Sequence, residues 1–357
     1  MNLTDYTLAL LDDIERRIDP ETEEDYYSQW ENFWNDTDAK AIFRPKRKKT
    51  SSSSIEIKNI NINDALTDFE LMLDLELANL SKKIANESTA LGIRANYGTG
   101  IISSMFGAEI FRMPRHTNTL PTTKSFNDSD KMRELLEKGV PDFYSGFGKD
   151  VLFFGERCAE IFERYPNIKK YVQIYHPDTQ GTLDLAELMW GGEMFYEMYD
   201  DPDFVHDVLK LITNTYKGFL DKWYEVIPKY EGLSVHWELM HKGNILIRLD
   251  SAMNIPVEFY DEFSKPYDKE LLEYFDGGCM HFCGRGDHYV GSMCDIEKMY
   301  GFNMSQPHLN DLSKIFGAAM DNNKKILRMP RADEFVTDDN VRKGIVHGKE
   351  PESSYVR

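Results

Sequence analysis

Apolar residues near the start of the chain recur every three or four positions. Leu8, Leu11, Ile14 and Ile18 make one such series, and Leu66, Phe69, Leu73, Leu77, Leu80 and Ile84 make a longer one. That spacing places a single apolar stripe on an α-helix. The second series predicts a helix over residues 61–87 with Asn63 as its N-cap. The stripe lasts fewer than four heptads, which favours core packing over a coiled coil.

From residue 91 the pattern changes. Short apolar runs alternate with longer helical stretches: LGIRANY (91–97), AEIFRM (108–113), KYVQIYH (170–176), GLSVHW (232–237), NILIRLD (244–250), GCMHFC (278–283), GFNMS (301–305) and KKILRM (324–329). Between them lie amphipathic stretches such as 201–227 and 256–275. Strands alternating with helices argue for parallel β structure, and about eight such units argue for a (β/α)8 TIM barrel. The expected organisation is an N-terminal helical extension and basic, serine-rich linker over residues 1–60, followed by a barrel over residues 61–357. Polar side chains gather where the runs end: Tyr97, His176, His236, Asp250, His281 with Cys283, Gln306 with His308, and Arg328. Strand C-termini are where this fold builds its active sites.

Composition narrows the function classes. Lys plus Arg is 42 and Asp plus Glu is 61, a formal charge of −19. So acidic a chain repels a phosphate backbone, so no nucleic-acid partner is expected. No stretch approaches the ~18 apolar residues of a membrane span, and the N-terminus does not read as a secretory signal. Three of the four cysteines (Cys158, Cys279, Cys283, Cys294) fall in one short stretch, which is no disulfide framework. A cytoplasmic setting is expected. The stretch RPKRKKTSSSS (44–54) reads as a solvated loop, or alternatively as an anion-binding or nuclear-localisation patch.

The sharpest chemistry lies in Cys279-Met280-His281-Phe282-Cys283-Gly284-Arg285. Alternate residues of a strand share a face, so Cys279, His281 and Cys283 point one way. Thiolate and imidazole together favour zinc. Positions 279 and 283 stand about 13 Å apart along a strand, so His281 and Cys283 with donors from elsewhere form the more physical set. Otherwise His281 is a substrate contact or a satisfied core histidine, and Cys279 is a small buried hydrophobe. Arg248 and Asp250 share a face of their strand. Asp250 suits a cation ligand or acid/base role, or equally a turn-stabilising one. Ser305-Gln306-Pro307-His308 reads as a binding rim. In Arg94-Ala95-Asn96-Tyr97-Gly98, the glycine would let backbone approach a ligand or simply make a turn.

Together these segments resemble a known family. LDSAMNIPVEFYDEFSKPYDKELLEYF is similar to a conserved segment of uroporphyrinogen decarboxylases. MHFCGRG resembles the HxCG strand shared by those enzymes and by cobalamin-dependent methyltransferases that act on thiols. GTLDLAELMWGGEMFYEMYDDPDFVHDVLKLIT resembles the turn and helix that precede it. The resemblance runs in order from about residue 170 to 330. It implies a TIM barrel and, in the methyltransferase branch, zinc held by His281, Cys283 and a cysteine nearer the C-terminus. No cysteine follows Cys294. A third ligand would then come from Asp250, His308 or His236.

Three functions follow as expectations. The first is a methyltransferase that passes a methyl group between a corrinoid, carried by a partner protein, and a small acceptor. His281, Cys283, Asp250, His236 and His308 would form its centre, with Arg94, Tyr97, His176, Arg248, Arg285, Gln306 and Arg328 contacting the substrate. The second is a cofactor-free decarboxylase of a porphyrinogen-like or small acid, with arginines holding carboxylates. The third is a non-catalytic barrel that binds a corrinoid or tetrapyrrole. A homodimer is possible in each case.

Overall fold

The computed structural model describes residues 3–37, 40–48, 50–86 and 88–349. Lys49 of the basic stretch lies outside them. The chain divides into two compact units: residues 1–23, 48–229 and 235–238 form one, and residues 24–47, 230–234 and 239–357 form the other.

The first unit is mainly helical. Helix Asp5–Arg17 begins at Thr4, whose side chain accepts from the Thr7 N–H. Leu10, Leu11 and Ile14 are buried on this helix, whereas Leu8 is 36% exposed. The stripe therefore runs through Leu10 instead of Leu8. The single helix expected over 61–87 is two helices, Ile62–Ala65 and Phe69–Ile84. Asn61 caps the first, not Asn63. Asp68 caps the second by accepting from the Glu70 and Leu71 N–H groups, and this local competition for backbone donors interrupts the helix.

The serine linker is not simply a solvated loop. Arg17 is buried, with Nε donating to Ser51 O at 2.9 Å and Nη1 to Asp13 Oδ2 at 3.2 Å. Ser53 Oγ also donates to that carboxylate, at 2.8 Å. The strap is thus pinned to the first helix through a buried ion pair.

Gly92–Ile93 and Gln173–Ile174 pair in parallel, as their runs predicted. Ile110–Phe111 does not join them: it forms an antiparallel hairpin with Thr122–Thr123. No crossover long enough to return the chain in parallel lies between those two strands.

The second unit holds a six-stranded parallel sheet, in the order Ile42–Phe43, Val346–Gly348, Lys325–Met329, Met299–Met304, Gly278–Phe282, Ile245–Arg248. The last four were legible as apolar runs. Helices Val257–Phe263 and Lys265–Tyr274, then Val290–Cys294, then Leu312–Asp321 make the crossovers between them. Mixed α/β class with parallel strands is therefore correct. Among the described residues the sheets contain six, two, two and two strands, so hydrogen bonding closes no eight-stranded ring.

The register aligns one residue from each of four strands in a row across this sheet. Arg248 stands opposite His281, His281 opposite Asn303, and Asn303 opposite Leu327. Gly278 permits the tight pairing at the start of its strand, because a Cβ there would lie 2.0 Å from the Ile245 carbonyl oxygen.

Candidate metal centre

The C-terminal ends of two neighbouring strands bring three donor groups together. Asp250 follows strand Ile245–Arg248, His281 lies within Gly278–Phe282, and Cys283 comes directly after it. One ligand atom from each falls within 4.8 Å of the others. His281 Nε2 is 3.3 Å from Cys283 Sγ and 3.7 Å from Asp250 Oδ1. Donors around a tetrahedral zinc ion, at ordinary bond lengths, stand about 3.3–3.7 Å apart. The imidazole is therefore placed against both the thiol and the carboxylate at nearly the spacing an ion requires.

The group is held from behind. Asp250 Oδ1 accepts from the Cys283 N–H at 2.8 Å, and Asp250 makes no side-chain cap bond to the 3-10 turn it begins. Gln306 Oε1 accepts from the Gly284 N–H at 2.6 Å. Asn310 Oδ1 accepts from the Gly286 and Asp287 N–H groups at 2.7 and 3.1 Å, and its amide donates to Gly284 O and Gln306 O. Four backbone N–H groups of residues 283–287 thus end on side chains, and the loop carrying the thiol is fixed.

Electrostatics at the group set one carboxylate against two nearby guanidiniums. Burial is the main influence lowering the basicity of His281, opposed by Asp250 and reinforced by Arg248 and Arg328. The ring is therefore inclined to be neutral, the form that binds metals. Burial pushes the Cys283 thiol up to about 11, so without a cation it keeps its proton near neutral pH. A bound dication would displace that proton, since a coordinating thiol is deprotonated. Zinc with one thiolate, one carboxylate and a neutral imidazole carries no net charge.

The other anticipated site residues divide by unit. Arg248 is buried, and with Arg328 it lies close enough to His281 to influence its titration. Arg328 has a positive φ of 49°, an unfavourable backbone region for a long side chain. Gln306 holds the thiol loop through Gly284. Arg285 is exposed and pairs with Asp287 at 2.7 Å, and His308 is exposed on the 3-10 turn Pro307–Leu309. Neither belongs to the donor group, and nor does Cys279, which is fully buried.

In the first unit, Arg94 Nη1 donates to Asp178 Oδ2 at 3.0 Å. The rings of His176 and His236 lie 4.6 Å apart, both buried, and Tyr97 packs on Phe147. Trp237, next to His236, has φ of 54°, strained for an aromatic residue. His236 ends strand Leu233–His236 and His176 follows Gln173–Ile174, as expected, whereas Tyr97 stands beyond the end of Gly92–Ile93.

Sequence reasoning missed Asn303, whose Oδ1 lies 2.6 Å from His281 Nδ1. It also gave Ser305 no specific role, yet the Ser305 hydroxyl is 3.5 Å from the Cys283 sulfur. A signal was present: Asn303 and Ser305 alternate along their strand as His281 and Cys283 do along the next.

No protein-family profile matches this chain, and no curated protein matches it in sequence. Among solved structures it resembles a methyltransferase from Methanosarcina mazei, with TM-score 0.55 and 15% identity, covering 76% of this chain and 72% of that one. At that identity the likeness is one of fold. Among the described residues no helix is long and apolar enough to cross a membrane.

Proposed function

We propose that the chain is a methyl-transfer enzyme acting on a small thiol, with zinc held by Asp250, His281 and Cys283. The observation that carries this reading is the convergence of carboxylate, imidazole and thiol within 4.8 Å at the strand ends. The fold likeness to a methyltransferase and the HxCG resemblance support it. In this reading Asp250 takes the place of the family's distal cysteine. The (β/α)8 barrel remains the proposed form of the fold.

Bound here, zinc would supply a Lewis acid that keeps an acceptor thiol as thiolate near neutral pH. The chain's own residues do the rest. His281, Asp250 and Cys283 would hold the ion. Residues Asp250, Gln306 and Asn310 stop the thiol loop from moving. Arg248 and Arg328 offset the negative charge that a thiolate would add to a neutral site, and so favour an acceptor with its own anionic group. The methyl donor would be a corrinoid presented by a partner protein.

The reading is tested by incubating zinc-loaded protein with methylcobalamin and a small anionic thiol. Loss of the methylcobalamin absorbance with formation of the methyl thioether, abolished in Cys283→Ser, is expected. Failure with every thiol supplied, in protein shown to contain zinc, would remove thiol methylation from the account.

A further inference from the structure

We infer that Asn303 is a positioning residue that holds His281 in the tautomer protonated on Nδ1, which reserves Nε2 for a cation. This role rests on the metal reading above for its functional meaning, but the proton assignment stands on local geometry.

The chain of hydrogen bonds starts at the backbone and runs inward. Asn303 is 5% exposed and His281 7% exposed, so water does not decide their orientation. The Asn303 Nδ2 position lies 2.7 Å from Leu327 O and 3.4 Å from Arg328 O. Backbone carbonyls only accept, so the amide must present its NH2 group to them. That leaves the amide oxygen facing His281 Nδ1 at 2.6 Å. An amide oxygen also only accepts, so Nδ1 must carry a hydrogen. In the neutral imidazole the lone pair is then on Nε2, and Nε2 is the atom directed at Cys283 Sγ and Asp250 Oδ1. Two backbone carbonyls on the adjacent strand thus determine which nitrogen is offered to a metal.

Sheet register makes this possible. Asn303 is the direct partner of His281 on one side and of Leu327 on the other. One short side chain therefore reaches both the imidazole and the next strand's carbonyl. A partner on the far ring nitrogen of a metal-binding histidine is typically worth 10–100-fold in metal affinity.

The experiment uses full-length protein labelled with 15N at histidine, metal-free, at a pH where His281 is neutral. The ring nitrogens distinguish protonated Nδ1 from protonated Nε2. Wild type is expected to show Nδ1–H for His281. In Asn303→Leu, which keeps bulk but has no acceptor, the Nε2–H form should appear and zinc affinity, read by chelator competition, should fall about 10–100-fold. Asn303→Asp keeps an acceptor opposite Nδ1 and should retain the wild-type tautomer. A wild-type spectrum showing Nε2–H overturns the inference whether or not any variant folds. So does an Asn303→Leu spectrum and zinc affinity equal to wild type. If wild type shows Nδ1–H but binds no zinc, the positioning stands and the metal reading fails, so the two are separable.

Discussion

The backbone N–H of Cys283 donates to Asp250 Oδ1 at 2.8 Å, linking two of the three candidate ligands before any ion arrives. A side chain of a type that often caps its own turn instead reaches across to the neighbouring strand. The bond ties the carboxylate to the backbone of Cys283, whose sulfur lies 3.3 Å from His281 Nε2.

The loop after Cys283 depends on one amide. Asn310 accepts two backbone N–H groups and donates to two carbonyls. Asn310→Ala should destabilise the protein by about 2–4 kcal/mol, since several backbone groups lose partners at once. It should also weaken metal binding although no ligand is removed. Chemical denaturation and chelator competition measure the two effects; wild-type values for both would show that the loop holds itself.

A pH effect is expected from Asp268. It is fully buried, with Ser264 Oγ donating to its Oδ2 at 2.9 Å, and burial raises its carboxyl to about 7 from 3.8. The folded state thus binds this proton more tightly than the unfolded chain does. Its contribution is most favourable below the unfolded value and is lost as pH rises from about 4 to about 7, a difference of about 4 kcal/mol. Asp268→Asn should flatten the pH dependence across that window and stabilise the protein above it. Urea midpoints at several pH values check this; parallel profiles for wild type and variant would refute it.

Close strand pairing predicts intolerance at Gly278. A Cβ there meets the Ile245 carbonyl oxygen at 2.0 Å, and backbone cannot yield as a side-chain tip can. Gly278→Ala should lower stability by at least about 1–3 kcal/mol and disturb the strand that carries His281. A melting temperature within about a degree of wild type, against the several degrees such a loss implies, would contradict the register described.

Much of the candidate site was legible in the chain. Period-2 alternation located His281 and Cys283 on one face, and the end of an apolar run put Asp250 at a strand end; that the two strands are neighbours came from the structure. The strands Ile42–Phe43 and Val346–Gly348 were not legible, because their apolar residues sit in short patches between charged ones (KAIFRPKR and KGIVHGK) and form no extended run. The hairpin at Ile110–Phe111 looked like a barrel strand because an apolar run does not declare its partner's direction. Asn303 escaped because its role depends on register, which brings it beside His281 from 22 positions away. Leu8 took an apolar position in the pattern that Leu10 fills in the structure, since a helix stripe is wider than one residue per turn.

The central claim is that Asp250, His281 and Cys283 bind one metal ion. It is tested most directly by metal analysis of protein purified without chelator or nickel, beside Cys283→Ser, His281→Ala and Asp250→Asn. About one zinc per chain in wild type, lost or greatly reduced in all three variants, is the predicted result. Wild-type protein that holds no metal after zinc is offered, or zinc retained in all three variants, would contradict it.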